Sequence, residues 1–200
     1  MYEVEVTIKG VTSYGANAMI PDDAPDDVKK KPSDETWETY MRRVLPYTIH
    51  TNKSGHLIIP ANALSECIKY AAKFAGEKVP GRGQMTFGTI FKSGIAVRSG
   101  IALPYTVKEL NERLEPQSVD SHGKKGGSSR VTRYFWWVEE WGGTFQLTVL
   151  NGLITKKVFE RTLVDGGLYT GLGMYRPQNG GEHGLFKVTN FKYSGEVVEE

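Results

Sequence analysis

Two stretches of 3.6-residue periodicity, each set between stretches of two-residue periodicity, constrain this 200-residue chain more than any other feature. Residues 2–8 alternate as a half-buried strand does, with Tyr2, Val4, Val6 and Ile8 on one side and Glu3, Glu5 and Thr7 on the other. Pro60 then opens a helical stripe of Leu64, Cys67, Ile68, Ala71 and Ala75. Glu66, Lys69 and Lys73 face away from it, and Gly76 is its stop. Residues 95–103 read as a strand. Two further strands, 131–139 and 144–150, are joined at Trp141-Gly142-Gly143 as a hairpin. Thr155 caps a second helix that carries Val158, Phe159 and Leu163 and is stopped by Gly166-Gly167; a last strand occupies 185–193.

The order is therefore strand, helix, strand, strand, helix, strand. An antiparallel sheet with two helices on one face satisfies it, which is the α+β class in a ferredoxin-like (RRM-like) arrangement. Around this core, segments rich in turn formers read as long insertions at about 10–46 and 104–130, within a single domain spanning 1–200. The first insertion holds Pro21-Asp22-Asp23-Ala24-Pro25-Asp26-Asp27. It continues into a helix capped by Ser33, with Trp37, Tyr40, Met41 and Val44 on one face, that ends at Pro46. Residues 50–59 read as a short hairpin around Asn52-Lys53-Ser54-Gly55, and residues 79–94 as a basic, glycine-punctuated loop.

Composition narrows the setting. A single cysteine, Cys67, excludes an internal disulfide framework and a Cys-rich metal site, and on the stripe it reads as a small core hydrophobe. No apolar run is long enough for a membrane span, and the first residues lack the layout of a secretory signal, so a cytoplasmic protein without membrane contact is expected. The net charge of +2 conceals a segregation. Residues 1–40 hold 9 acidic and 4 basic side chains, residues 41–135 hold 6 and 15, and residues 136–200 hold 8 and 6. A strongly basic middle attracts a polyanion. The acidic first third also complements the basic middle of a second copy, a heterologous contact that propagates into a homo-oligomer or filament.

The densest local signal is Gly171-Leu172-Gly173-Met174-Tyr175-Arg176-Pro177-Gln178-Asn179-Gly180-Gly181-Glu182-His183-Gly184, leading from a helix into a strand. Two readings fit it. Its glycines let backbone N–H groups approach a phosphate, with Arg176 supplying a guanidinium fork, or they merely permit tight packing turns. No Gly-Lys-Ser/Thr follows, so it is not a P-loop, and its helix-to-strand placement excludes a dinucleotide fingerprint.

A glycine-rich loop between the second helix and the last strand of such a fold resembles the signature of the RAMP superfamily, the RNA-binding and RNA-processing subunits of CRISPR effector complexes. Ile58-Ile59-Pro60-Ala61-Asn62-Ala63-Leu64 is similar to the I-P-G-S-x-L opening of the first helix in its backbone subunits, Asn62 being a departure. The glycine-loop string also resembles one in small phage and prophage proteins. The resemblance implies single-stranded RNA or DNA held by its phosphates and splayed by a protruding hairpin, in company with CRISPR-type protein partners and without a cofactor. The residues available for this are Arg82, Lys92, Arg98, Lys124, Lys125, Arg130 and Arg133, together with Gly171, Gly173 and Arg176.

Consecutive aromatics add stacking. Tyr134 and Trp136 lie on one side of their strand and Phe135 and Trp137 on the other, so one pair packs under the helices and the second is either an open stacking face or covered core. None of the four histidines has metal-site spacing, and Asp22, Asp23, Asp26 and Asp27 match no calcium loop, so no metal is expected. The leading expectation is a non-enzymatic binder of single-stranded nucleic acid, RNA favoured. The alternatives are a metal-independent endoribonuclease of the same superfamily, with His56 or His183 as general acid or base, and a phage-encoded mimic that inhibits a CRISPR complex by protein contact.

Overall fold

A computed structural model describes residues 1–120 and 129–194. Its elements, in chain order, are β1 (Tyr2–Gly10), α1 (Asp26–Lys29), α2 (Trp37–Val44), β2 (His56–Ile59), α3 (Ala61–Ala75), α4 (Phe87–Gly94), β3 (Ile95–Val97), β4 (Ile101–Thr106), α5 (Val107–Glu112), β5 (Leu114–Asp120), β6 (Arg130–Trp136), β7 (Gly142–Val149), α6 (Lys156–Asp165) and β8 (Phe186–Ser194). The fold is mixed α/β with antiparallel sheets. Two compact units share the chain: Met1–Tyr14, Ile58–Leu103 and Glu139–Glu200 form the first, Gly15–Leu57 and Pro104–Val138 the second.

The first unit is built on a four-stranded sheet in the order β3-β7-β1-β8, every neighbouring pair antiparallel. The alternation of β1 sets its faces: Tyr2, Val4, Val6 and Ile8 are buried, and Val6 stands opposite Phe145 on one side and Phe191 on the other. The buried stripe of α3 and Phe159 and Leu163 of α6 complete the core, with the Phe159 and Phe191 rings 6.1 Å apart edge to face. Thr155 caps α6 by accepting from the Val158 amide. Gly76, at φ 62°, ends α3 in the left-handed conformation that glycine favours.

Residues 10–14 sew this unit together. The Gly10 amide donates to the Trp141 carbonyl at 2.8 Å, and the Trp141 indole N–H donates to the Thr12 carbonyl at 2.7 Å. The Trp141 ring lies so close to Gly10 that a Cβ there would meet it at 2.3 Å, and it packs against Tyr14 and Phe186 with ring centroids 5.2 and 6.3 Å away. Beyond it, Leu185 donates its amide to Thr12 Oγ1, and its carbonyl accepts from Val11.

Several expectations change here. Residues 131–139 and 144–150 do not form a hairpin: β6 pairs with β5, while Gly142 and Gly143 already belong to β7, opposite Lys9 and Ile8. Part of the expected loop at 79–94 is the helix α4. Phe87, Ile90, Phe91 and Gly94 bury one face of it, and a Cβ at Gly88 would come within 2.8 Å of the Lys73 Cα, so Gly88 serves helix packing rather than a turn. Gly166-Gly167 does not stop the second helix either. A five-residue π turn follows it to Thr170, because Gly166 fits against Ala71 and Cys67 and Gly167 against the Phe186 carbonyl; the reversal comes at Gly171, φ 70°. The expected strand 95–103 breaks at residues 98–100 into β3 and β4, and β4 pairs with β2. Asn52 Oδ1 accepts from the Ser54 and His56 amides, which shrinks the hairpin at 50–59 to a turn closed by one Thr51–Leu57 bridge.

In the second unit α2 is capped by Thr36 rather than Ser33, and Pro46 sits inside a single 3-10 turn, Leu45–Tyr47, that prolongs it. Ala24, Val28, Tyr40 and Val44 form its small core, where the Tyr40 hydroxyl donates to the Val28 carbonyl at 2.6 Å. β5 and β6 make a two-stranded ribbon. Among the described residues, no helix is long and apolar enough to cross a membrane, and no group of three or more His, Cys, Asp or Glu side chains is placed to hold a metal ion.

Gly10→Ala forces a methyl into the Trp141 ring and is expected to destabilise the first unit by about 2 kcal/mol in urea unfolding. Gly152→Ala, where a Cβ meets nothing within 4 Å, is the control and should shift stability by less than about 0.5 kcal/mol.

Candidate nucleic-acid interface

The glycine-rich loop is closed upon itself. The Leu172 amide donates to the Gly184 carbonyl at 2.9 Å, His183 to Tyr175 at 3.0 Å and Gly181 to Arg176 at 3.1 Å. Gly184 (φ 71°) also donates to the Ser13 carbonyl, and a Cβ on it would fall 1.7 Å from the Leu172 oxygen. Tyr175, at φ 49°, is the one non-glycine among the described residues with a positive φ. These amides are consumed within the loop and by the Ser13 carbonyl, so tight packing explains much of its glycine content, and an anion would be met chiefly by side chain.

That side chain is Arg176. Its Nε donates to Gln178 Oε1 at 3.0 Å and its Nη1 to the Gly173 carbonyl at 3.1 Å, which anchors one side of the guanidinium, while Nη2 has no hydrogen-bond partner among the described residues. Its charge reaches inward as well. Burial pushes the Tyr14 hydroxyl well above the usual tyrosine range and the Cys67 thiol up to about 12, and in each Arg176 opposes the rise. Cys67 is thus an inert core residue whose Sγ points at the Gly166 carbonyl, 3.6 Å away. His183 Nδ1 is hydrogen-bonded to Ser13 Oγ at 2.7 Å. Sequence reading missed Ser13 and Tyr14, since a partner 170 positions away leaves no local pattern.

The other expected residues fall in separate places. Arg82 is exposed in a turn between Gly81 (φ 71°) and Gly83 (φ 60°), and Lys92 is exposed on α4. Arg98 lies on the open face of the sheet, donating from Nε to Thr148 Oγ1 at 2.8 Å with Nη2 3.8 Å from Glu3. That face presents Glu3, Glu5, Thr7 and Lys9 of β1, Thr144 and Gln146 of β7, and Lys187, Asn190 and Lys192 of β8. No aromatic ring stands among them. The expected stacking pair is not on this sheet, because β6 belongs to the ribbon of the second unit, where Trp136 and Trp137 are buried and Tyr134 and Phe135 half-buried.

On the ribbon, Arg130 donates across to the Ser118 carbonyl at 2.7 Å and to Ser118 Oγ. The Arg133 guanidinium lies 3.6 Å from the centre of the Trp37 ring, with Lys31 at 5.7 Å. This cation–π contact fastens β6 to α2 and contributes about 1 kcal/mol. Lys124 and Lys125 lie outside the described residues. His56 opens β2 in the second unit, while His183 belongs to the first.

The acidic and basic blocks meet within one chain. Arg43 bonds Asp27 at 2.6 Å and Glu35 at 2.8 Å, and Arg42 bonds Glu38 and the Asn111 carbonyl. The Arg43 hydrogen bonds hold the Glu35 carboxyl below the usual carboxylate range against its desolvation. A carboxylate depressed in the folded state stabilises above its unfolded pKa, roughly 4.3, and loses that contribution as pH falls through the lower folded value. Hydrogen exchange of α1 and α2 should therefore be pH-independent, after correction for intrinsic rates, above about pH 5 and quicken below about pH 4. Glu35→Gln should flatten that acid limb.

No protein family and no curated protein matches the sequence. Among solved structures 51 chains match. One is a chain in the cryo-EM structure of the type III-B Cmr-beta complex bound to cognate target RNA, with a TM-score of 0.51 and 11% sequence identity over 96% of this chain and 60% of that one. The present chain spans about three fifths of that neighbour, and at this identity the likeness is one of fold.

Proposed function

We propose that this chain is a RAMP-like, non-enzymatic protein that binds single-stranded nucleic acid, RNA in preference to DNA, and self-associates along the strand with CRISPR-type protein partners. In this reading the first unit is a ferredoxin-like domain, since the sheet order β3-β7-β1-β8 is second, third, first and fourth once the intervening elements are set aside, and α3 and α6 are its two helices. The second unit is then the pair of insertions in one 1–200 domain. The observation that carries the proposal is Arg176: a guanidinium anchored by two bonds to its own glycine-rich loop, between the second helix and the last strand, with one side left for phosphate. A Cβ at Gly171 would come within 3.1 Å of the Arg176 Cβ, so glycine there leaves the room Arg176 fills, and Gly173 supplies the carbonyl that holds its Nη1. Further candidate phosphate contacts are Arg82 and Lys92 in the first unit and, in the second taken by itself, Lys124, Lys125 and Arg130; Arg98 and Arg133 are held by Glu3 and Trp37. RNA is preferred because the solved neighbour is part of an RNA-bound assembly.

Fluorescence anisotropy with labelled oligouridine against salt tests this. About six phosphate contacts give a log–log slope near −4, and Arg176→Ala and Arg82→Ala should each weaken binding and flatten the slope by about 0.7. Binding that ignores salt, or a protein that stays monomeric on long oligonucleotides in light scattering, would count against the proposal.

The Ser13–His183 pair supports a second reading, a metal-independent endoribonuclease. There His183, oriented by Ser13, takes the proton of a ribose 2′-OH as its oxygen attacks the adjacent phosphorus. The 5′-oxygen leaves, taking a proton from solvent to become the 5′-hydroxyl, and a 2′,3′-cyclic phosphate forms. Cleavage in EDTA giving cyclic-phosphate ends, abolished in His183→Ala and not in His56→Ala, is the expected result; intact RNA sinks this reading.

A further inference from the structure

The open face of the four-stranded sheet carries a concave site of mixed charge. One row crosses β7, β1 and β8 and continues to Arg98, just past the end of β3. The Arg98 amide donates to the Gln146 carbonyl, Gln146 stands opposite Glu5, and Glu5 stands opposite Lys192. In the next row the short side chains Thr148 and Ser194 flank Glu3. Together they line a cavity of about 240 Å³. Glu3 and Glu5 balance Arg98 and Lys192 there, so the lining has no net positive charge to draw a phosphate, and its mixed donors and acceptors suit the edge of a base better than the backbone.

The donor and acceptor pattern is specific. Gln146 Nε2 donates to Glu5 Oε2 at 3.4 Å, which orients the carboxylate. Glu5 and Lys192 sit on adjacent strands, roughly 4.8 Å apart by sheet geometry, yet among the described residues they form no ion pair. An acceptor-only carboxylate therefore stands beside a donor-only ammonium, both with capacity to spare. The complementary edge has two adjacent donors next to an acceptor. Among the RNA bases guanine has it, in N1–H and the N2 amino group beside O6, whereas adenine, cytosine and uracil each lack one of the two donors.

We infer that this cavity reads a guanine base: Glu5 accepts from N1–H and the N2 amino group, and Lys192 donates to O6. The inference rests on the nucleic-acid reading above and adds base preference to it. Two short oligouridines, identical except for one central guanosine or inosine, which lacks the N2 amino group, test it by anisotropy at low salt. The expected result is guanosine bound at least about fivefold more tightly, with the ratio falling to near one in Glu5→Gln and reduced in Lys192→Met. A ratio near one in the unaltered protein, both oligonucleotides binding, overturns the inference and leaves nucleic-acid binding intact. A preference that survives Glu5→Gln overturns it as well. Failure of both oligonucleotides to bind overturns the broader reading with it.

Discussion

The indole of Trp141 seated on Gly10 is the contact from which the rest of the first unit is organised. Glycine is needed there because the ring occupies the space of a Cβ, and the indole N–H is satisfied only because the chain turns on to present the Thr12 carbonyl. The same turn carries Thr12, Ser13 and Tyr14 to Leu185, Gly184 and His183. A packing requirement at the end of β1 thereby fixes the start of β7, the start of β8 and the closing residues of the glycine-rich loop. The Arg176 site inherits its rigidity from that arrangement.

Rigidity bears on affinity. A free arginine loses rotamer freedom when it grips a phosphate, whereas Arg176 has surrendered much of it to Gln178 and the Gly173 carbonyl beforehand. Arg82 stands differently: two left-handed glycines bracket its backbone, but its side chain is exposed and unanchored. The first suits orientation and the second long-range attraction. Arg42 and Arg43 belong to neither group, because their charge is absorbed by Glu38, Asp27 and Glu35. The basic character of residues 41–135 is thus partly internal cohesion, and the charge left for a polyanion is smaller than the composition suggests.

What was legible in the sequence followed from local periodicity and caps. The β1 alternation, the α3 stripe from Pro60 to Gly76 and the Thr155 cap all appear where those residues place them. Glycines misled whenever their purpose was tertiary. Gly88, Gly166 and Gly167 resemble turn formers along the chain, yet each is small because another element presses against it. Pairing partners were illegible for a related reason: β6 and β7 are neighbours in sequence and Trp141-Gly142-Gly143 looks like a hairpin turn, but Trp141 is engaged by Gly10 and Thr12. The aromatic run of β6 consequently went to the wrong sheet in the sequence reading. Arg176 was visible as a candidate; its anchoring was not.

That reassignment changes how the sheet can meet a ligand. A sheet that stacks bases needs exposed rings on its open face, and this one offers carboxylates, amides, hydroxyls and ammonium groups instead. Such a surface gains little from a base's π-face and much from its edge, because every polar group it already exposes must be matched on burial or its desolvation goes uncompensated. Under the proposed function, non-specific grip and base discrimination would separate physically within the first unit: phosphate to the guanidinium held by the glycine-rich loop, base edge to the row that crosses the sheet through Glu5. The Tyr2 and Tyr193 rings are turned to the opposite face, where burial raises both hydroxyls above their ordinary range and Tyr193 donates to Glu160. The β1 alternation that buries Tyr2 is the same alternation that exposes Glu3 and Glu5, so the core and the polar open face are two consequences of one period-two pattern.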